Sequence, residues 1–474
     1  MKRIFALAFL FPVVFYQPVF SQEQKIVLAN PDASVYDTDL LTQDFHRGRR
    51  NALREKMPEG SVAVLFTSPV RNRSNDVDYE YHQDPNFYYY TGYQKPDAIV
   101  LIFKEPQTVN GTTADEFIFV SDRNPSVETW TGKIPSKEEV TATSGIKNVL
   151  INTEFVNLDF DFGKMKKLLA KFPNDVNENS KEKGSTGWLV KKLKDKTTGL
   201  DFDRVTMAKI NSSLREIKTT DELMLLQKAI SITCRGFIET YKATVPGLTE
   251  FQIQAVNEYF WNIAGSEYAG YPSIVGGGAN SCVLHYETNR KKLLSNDMIV
   301  MDMGAEYHGY SADVTRSFPV NGKFSIEQKL IYQLVFDAQK AGIEACKPGN
   351  SFNDPHRAAT QVITEGLKKL GIITADEEVD KYFMHGTSHY LGLDVHDPGT
   401  YGQLKPNSII TVEPGIYIKE GSDCDKKWWN IGVRIEDDVL ITDNGHKVMS
   451  DCVPKTIAEI EKLMAEKSLF NEIK

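Results

Sequence analysis

The chain of 474 residues carries a formal charge of −9, from 55 basic and 64 acidic side chains. That balance speaks against nucleic acid as a main partner, since phosphate backbones are bound by basic surfaces. Hydrophobic residues make up 41%, the usual share for a globular protein with sizeable cores. The five cysteines are too few for a disulfide scaffold.

The N-terminus has the layout of a cleaved export signal: basic MKR, apolar IFALAFLFPVVF, then VFS ending in Ser21. Pro12 and Pro18 interrupt a run already short for a bilayer span, so no membrane anchor is expected. The mature chain is expected to begin at Gln22 and to work outside the cytoplasm, in the periplasm or secreted. Losing Lys2 and Arg3 would lower the charge from −9 to −11.

Between about 40 and 160, helix and strand signals alternate. TQDFHRGRRNALREKM reads as a helix whose Arg47, Arg49 and Arg50 form one solvated face. SVAVLF, AIVLIF and EFIFV read as short buried strands. Residues 173–187 are polar and rich in breakers, a loop, followed by the helical WLVKKLKDKT. A domain boundary is expected near 205–215.

Beyond it, capped helices recur. Thr219 with Glu222, Thr249 with Gln252, and Ser325 with Gln328 each form a capping-box pattern. A fourth helix opens at Asp354-Pro355 and stops at Gly371. Helix pairs thus appear at 219–265 and 325–371, each followed by a β-rich segment with acidic residues and histidines, which hints at internal duplication. Cys234 and Cys346 fall in helices and read as buried thiols. Cys424 and Cys452 flank the last strands, and an oxidising compartment would allow a Cys424–Cys452 disulfide.

Chemistry is concentrated in the second half. In DMIVMDMGAEYHGYSADVTRSFPV, 297–320, a turn centred between residues 307 and 308 would oppose Asp302 and Asp313 across a hairpin. Their Cβ atoms would then lie about 5 Å apart. Two buried carboxylates at that distance repel unless a cation or a shared proton intervenes. Glu413 in SIITVEPGIYI and Glu436 in IGVRIEDDVLIT also sit among apolar strand residues. HGTSHYLGLDVHDPG, 385–399, holds His385, His389 and His396, three of the nine histidines. His385 and His389 share a face if the segment is extended. Four carboxylates and one imidazole make an oxygen-rich set suited to a hard divalent ion such as Mn²⁺, and two ions sharing ligands fit better than one. VGGGAN, around 276–278, lacks the Lys-Ser/Thr of a phosphate loop and reads as a tight turn.

VMDMGAEYHGYSADVTRSFPV, HGTSHYLGLDVHD, TVEPGIYI and VRIEDDV resemble the pita-bread metallopeptidases, in the branch that holds aminopeptidase P and prolidase. The likeness spans about 215–465. It continues in NRSNDVDYEYHQDPNFYYYTGYQKPDAIVLIF and SDRNPSVETWTG, which resemble that branch's non-catalytic domain. The resemblance implies an α+β chain: a signal peptide at 1–21, a smaller α/β N-terminal domain at 22–210, and a pita-bread (creatinase/aminopeptidase-like) catalytic domain at 211–474.

It further implies that Asp302 binds one ion with both oxygens, that Asp313 and Glu436 bridge two divalent ions, Mn²⁺ in this reading, and that His389 and Glu413 complete the shell of the other ion. A bridging water or hydroxide would attack the scissile carbonyl, with Glu413 as acid/base partner. His285 in CVLHYET and His396 match histidines that face substrate. Arg434 matches an arginine behind the ligands, and His385 the first histidine of the HGxSH pattern, lining the pocket or relaying protons. The implied substrates are peptides with proline at position two, and the implied assembly is a homodimer or tetramer.

Ser388 in HGTSH looks more like aminopeptidase P than prolidase, where glycine is usual. Two features depart from the pattern. Tyr88 stands where bacterial aminopeptidases P often have tryptophan, which bears on contacts near the substrate entrance. The insertion KEGSDCDKKWWN, 419–430, is a surface loop or a rim of the active site through Trp428 or Trp429. Alternative readings are a prolidase limited to Xaa-Pro dipeptides and a catalytically silent pita-bread binding protein. The intact ligand set argues against the second. A phosphoesterase lacks supporting sequence.

Overall fold

In the computed structural model, which describes residues 38–472, the first layer is a five-stranded mixed sheet. Its order is Val149–Ile151, Thr112–Val120, Ile99–Val109, Ser61–Phe66 and Lys167–Ala170. The central pairs are antiparallel and the two outer pairs parallel. The expected signal peptide and the start of the 22–210 domain lie outside the described residues. Leu40–Lys474 form one compact unit.

The strand residues are apolar in unbroken runs because both faces of the sheet are covered. Val62, Val64, Leu101 and Phe119 meet Phe155, Phe160 and Leu189 on one side. Ala63, Leu65, Val100 and Ile102 meet Phe45, Leu53 and Tyr89 on the other. This second cluster continues through Leu214 and Leu226 to Met303 and Val453 in the C-terminal half. The expected boundary at 210/211 falls inside the helix Arg204–Arg215.

The first helix, Gln43–Lys56, forms as expected with Thr42 as its cap, but its arginines do not share one solvated face. Arg50 is fully buried. Its guanidinium grips Glu116 at 2.8 and 3.0 Å and donates to the carbonyls of Tyr90 and Ser144. The fork satisfies every group it meets, which makes burying the charge tolerable.

In the C-terminal half, the helices Thr220–Ala243 and Glu250–Ile263 pack as one pair, and Ile326–Glu344 and Asp354–Lys369 as another. The capping boxes at Thr219 and Ser325 form as their spacing predicts. The fourth helix opens at Asp354-Pro355 as expected, with Asn353 before it making no side-chain capping hydrogen bond. Each pair precedes paired strands that carry candidate site residues. Met298–Met303 pairs with Val314–Pro319 after the first. Ile409–Val412 with Asp437–Thr442, and Gly415–Ile418 with Ile431–Arg434, follow the second. The duplication is one of architecture.

The disulfide differs from the expected pairing. Cys452 is bonded to Cys234, not to Cys424, with Cα atoms 6.0 Å apart. The segment after the last strand folds back beneath the helix Thr220–Ala243, where Gln227 Nε2 donates to the Met449 carbonyl. Cys424 stays a free thiol in the 419–430 loop, and Cys282 and Cys346 are buried free thiols. Peptide mapping without reduction is expected to recover a Cys234–Cys452 link. Cys452→Ser is expected to cost about 2–4 kcal/mol in urea unfolding.

Candidate metal centre

The hairpin carrying the first two carboxylates turns at His308-Gly309, both in the left-handed region with φ of 49° and 84°. Such a two-residue turn matches the twist of the strands it joins. The turn lies one residue beyond the expected centre, so Asp302 faces Thr315 and not Asp313. A slip of two residues in pairing keeps every side chain on its face, because the strand period is two. Asp302 and Asp313 therefore still meet, diagonally. The Tyr271 hydroxyl lies 2.5 Å from Asp302 Oδ1 and 2.6 Å from Asp313 Oδ1. Close approach of the strands at this point requires Gly304, where a Cβ would stand 1.9 Å from the Ala312 carbonyl oxygen.

The second hairpin completes the set. Val412 pairs with Asp437 and Gly415 with Arg434, so the continued register sets Glu413 opposite Glu436 in the break between the ladders. Glu436 Oε2 accepts from Thr315 Oγ1 at 2.6 Å, which joins the two hairpins. Arg434 donates through Nη2 to Asp302 Oδ2 at 2.6 Å, through Nη1 to the Tyr417 hydroxyl at 3.0 Å, and through Nε to Thr315 Oγ1 at 3.2 Å.

His389 enters from the segment between the helix pair and the second hairpin. Its Nδ1 lies 3.0 Å from the Tyr390 carbonyl oxygen. A carbonyl only accepts, so Nδ1 carries a hydrogen and Nε2 is the nitrogen turned to the site. That nitrogen faces Asp313 Oδ2 at 3.2 Å and Glu413 Oε1 at 3.6 Å. A ring nitrogen and two carboxylates this close must share a proton or a cation. Donor atoms of Asp313, His389 and Glu436 all lie within 4.8 Å of one another, close enough for one ion. Without metal, the carboxyls resist ionising. Burial, then the charge of Asp302, pushes Asp313 well above its ordinary value. Burial, then Asp313, does the same to Glu436. Burial, then Glu436, brings Glu413 up to about 8.

The nine site residues expected from the sequence line one cavity of about 440 Å³, Asp302, Asp313, His389, Glu413 and Glu436 with His285, His385, His396 and Arg434, and Ser388 lines it beside them. His285 and His396 are exposed to it. His385 is engaged at both nitrogens, Nδ1 with the Gly386 carbonyl at 2.7 Å and Nε2 with the Tyr417 hydroxyl at 2.8 Å. The Nδ1–H therefore donates to the carbonyl and Tyr417 donates to Nε2. Burial, then the nearby Arg434 charge, lowers His385 to about 4 and keeps it neutral.

Neither of the two departures from the family pattern lines this cavity. Tyr88 is buried and lines a separate cavity with His82, Glu306 and His308. Trp428 is buried and Trp429 lines a different cavity, its indole closing its own loop onto the Ser422 carbonyl. Sequence reasoning missed Tyr271, Thr315 and Tyr417. Each is an ordinary residue in its local pattern and acquires its role only from what the fold brings against it.

An acidic centre held by one imidazole in a buried cleft between paired hairpins is the site of a metal-dependent hydrolase. Residues 224–443 match metallopeptidase family M24, and residues 46–165 match the aminopeptidase P N-terminal domain. Xaa-Pro aminopeptidase of Haemophilus influenzae is 36% identical, over 90% of this chain and 99% of its own length. That of Escherichia coli is 33% identical, over 90% and 98%. Among solved structures, aminopeptidase PepP of Pseudomonas aeruginosa superposes with a TM-score of 0.80 at 32% identity, covering 90% of this chain and 99% of that one. The chain belongs to the aminopeptidase P group of metallopeptidase family M24.

The raised carboxyls set a pH dependence. Each holds a proton in the folded, metal-free protein at pH values where the unfolded chain has lost it. The folded state thus binds more protons, and stability falls as pH rises from the ordinary carboxylate range to about 8, the value for Glu413. Thermal melts in chelator are expected to show that decline, and the gain in melting temperature on adding Mn²⁺ is expected to be larger at pH 8 than at pH 6. Asp313→Ala is expected to abolish metal binding, read by calorimetry.

Proposed function

We propose that the chain removes the first residue from peptides whose second residue is proline, Xaa-|-Pro-Yaa, with two divalent ions, Mn²⁺ by preference. The observation that carries this reading is the convergence of Asp302, Asp313, His389, Glu413 and Glu436 in one cavity, in a chain whose relatives are named Xaa-Pro aminopeptidase. Those five residues would hold the ions. Hard oxygen donors outnumber nitrogen four to one, which favours Mn²⁺ over softer metals. The bound pair would supply Lewis acidity and make water at the site more acidic.

The remaining steps belong to the chain itself. A bond into proline has no amide hydrogen and a fixed φ, so recognition must come from the pocket walls and not from that N–H. His285 and His396 stand exposed at the cavity and can meet peptide carbonyls. Glu413 is the acid/base group, by its place in the cavity beside the other four residues that would hold the ions. Arg434 steadies Asp302, and Tyr417 links Arg434 to His385.

Ser388 favours this reading over a prolidase. Export is supported by the signal-like N-terminus and by the Cys234–Cys452 disulfide, which an oxidising compartment preserves. No described helix is long and apolar enough to cross a membrane. A dimer or tetramer is part of the same reading, carried by the chain's likeness to that family.

Metal-reconstituted protein is expected to release Xaa from an Xaa-Pro-Yaa tripeptide. Cleavage of the Xaa-Pro dipeptide alone would instead identify a prolidase, and cleavage of neither a binding protein. Glu413→Gln is expected to lower kcat by at least about 100-fold.

A further inference from the structure

The segment that carries His389 and His396 is anchored from behind by a buried ionic knot. Arg215 ends the helix Arg204–Arg215, and Lys218 lies just before the cap of Thr220–Ala243. Both charged side chains are almost fully buried, as is Asp397, next in sequence to His396. Lys218 Nζ donates to Asp397 Oδ2 at 2.8 Å, and Arg215 Nη2 donates to Asp397 Oδ1. The same Nη2 reaches Asp394 Oδ2 at 2.7 Å, while Nη1 donates to Asn86 Oδ1 at 3.0 Å in the N-terminal half. Burial works against the Asp397 charge, but Arg215 and Lys218 outweigh it and hold the carboxyl below its ordinary value.

Asp397 in turn closes the segment on itself. Its N–H donates to the Tyr390 carbonyl at 2.9 Å, and its Oδ1 accepts from the Asp394 N–H at 3.1 Å. The chain passes so close that a Cβ on Gly392 would stand 2.5 Å from Asp397 Oδ2 and 2.8 Å from Lys218 Nζ. Tyr390 follows His389 directly, and the His389 carbonyl accepts from Thr411 N–H at 3.0 Å. By contrast, no hydrogen bond among the described residues holds the His396 ring, which lies 4.2 Å from the His389 ring, centre to centre. The place of that imidazole is set by its backbone, and the backbone by Asp397.

We propose that Arg215 and Lys218 are positioning residues for the reaction, acting through Asp397 to aim His396 into the cavity. The inference rests on the reading of His396 as a substrate-facing group. It gives the link between the two halves of the chain a catalytic consequence, since the Arg215 fork that grips Asp397 also grips Asn86. Neither Arg215 nor Lys218 lines the metal cavity.

The test is a double-mutant cycle on Mn²⁺-reconstituted protein with an Ala-Pro-Yaa tripeptide. Lys218→Met keeps much of the side-chain volume and removes the donor. It is expected to lower kcat by about 10-fold or more, as small misplacements of catalytic groups do, with bound metal unchanged. In a His396→Ala background the same substitution is expected to change kcat by less than about 2-fold, because the aimed group is already gone. Equal losses in both backgrounds would overturn the proposal, leaving only a structural role for the knot. A His396→Ala protein with full activity would overturn the substrate-facing reading instead, and the proposal with it. If Lys218→Met fails to fold, Asp394→Asn, at a half-exposed site, takes the charge out of one Arg215 contact. It is expected to give a loss of about 2–5-fold that again vanishes in the His396→Ala background.

Discussion

Four carboxylates gathered around one imidazole nitrogen in a buried cleft form the constraint on which the rest of this structure depends. Left alone, such a set is unstable. Desolvation and mutual repulsion push Asp313 and Glu436 toward the protonated form, and a proton bound there competes with metal. The surrounding residues reduce that cost without cancelling it. Arg434 neutralises Asp302, Thr315 donates to Glu436, and Tyr271 donates into the gap between Asp302 and Asp313. What charge is left over is what divalent metal would answer.

Holding this set in place falls to groups further back. Asp437, one residue beyond Glu436, is fully buried and receives Arg316, Lys455, Ser450 and Gln339. Burial opposes its charge, yet Arg316 and Lys455 keep its carboxyl below the ordinary value. Arg316 also donates to the Glu436 carbonyl, at 2.5 Å, so the backbone of that ligand is tied to the same network. The disulfide from Cys452 to Cys234 secures the segment that supplies Ser450. The Arg215–Asp397–Lys218 knot does the corresponding work for the histidine segment. Catalytic geometry of this kind is only as good as the shell that supports it.

How much of this could be read beforehand differs by residue. The ligand strands and capped helices were legible because apolar periodicity and cap chemistry are local. The face shared by Asp302 and Asp313 was legible too, since parity survives a two-residue error in register. The register itself was not, because it depends on where His308 and Gly309 take up positive φ. Arg50 read as a solvated residue, for a helix pattern cannot reveal that Glu116 and two carbonyls wait on its far side. Cys424 and Cys452 looked like partners by position in sequence, whereas Cys452 lies against a helix 218 residues earlier.

The amino-acid sequence by itself determined which residue types can bind metal here, their place on strands, and the excess of acid over imidazole that calls for hard cations. Those properties are chemical and local, and they hold in any fold that buries the strands. The tertiary structure alone decided which nitrogen of His389 faces the site, why His385 stays neutral, and which tyrosines, arginines and cysteines stand behind the acidic cluster. These depend on groups far apart in the chain meeting within hydrogen-bonding distance, and no periodicity along one segment carries that information.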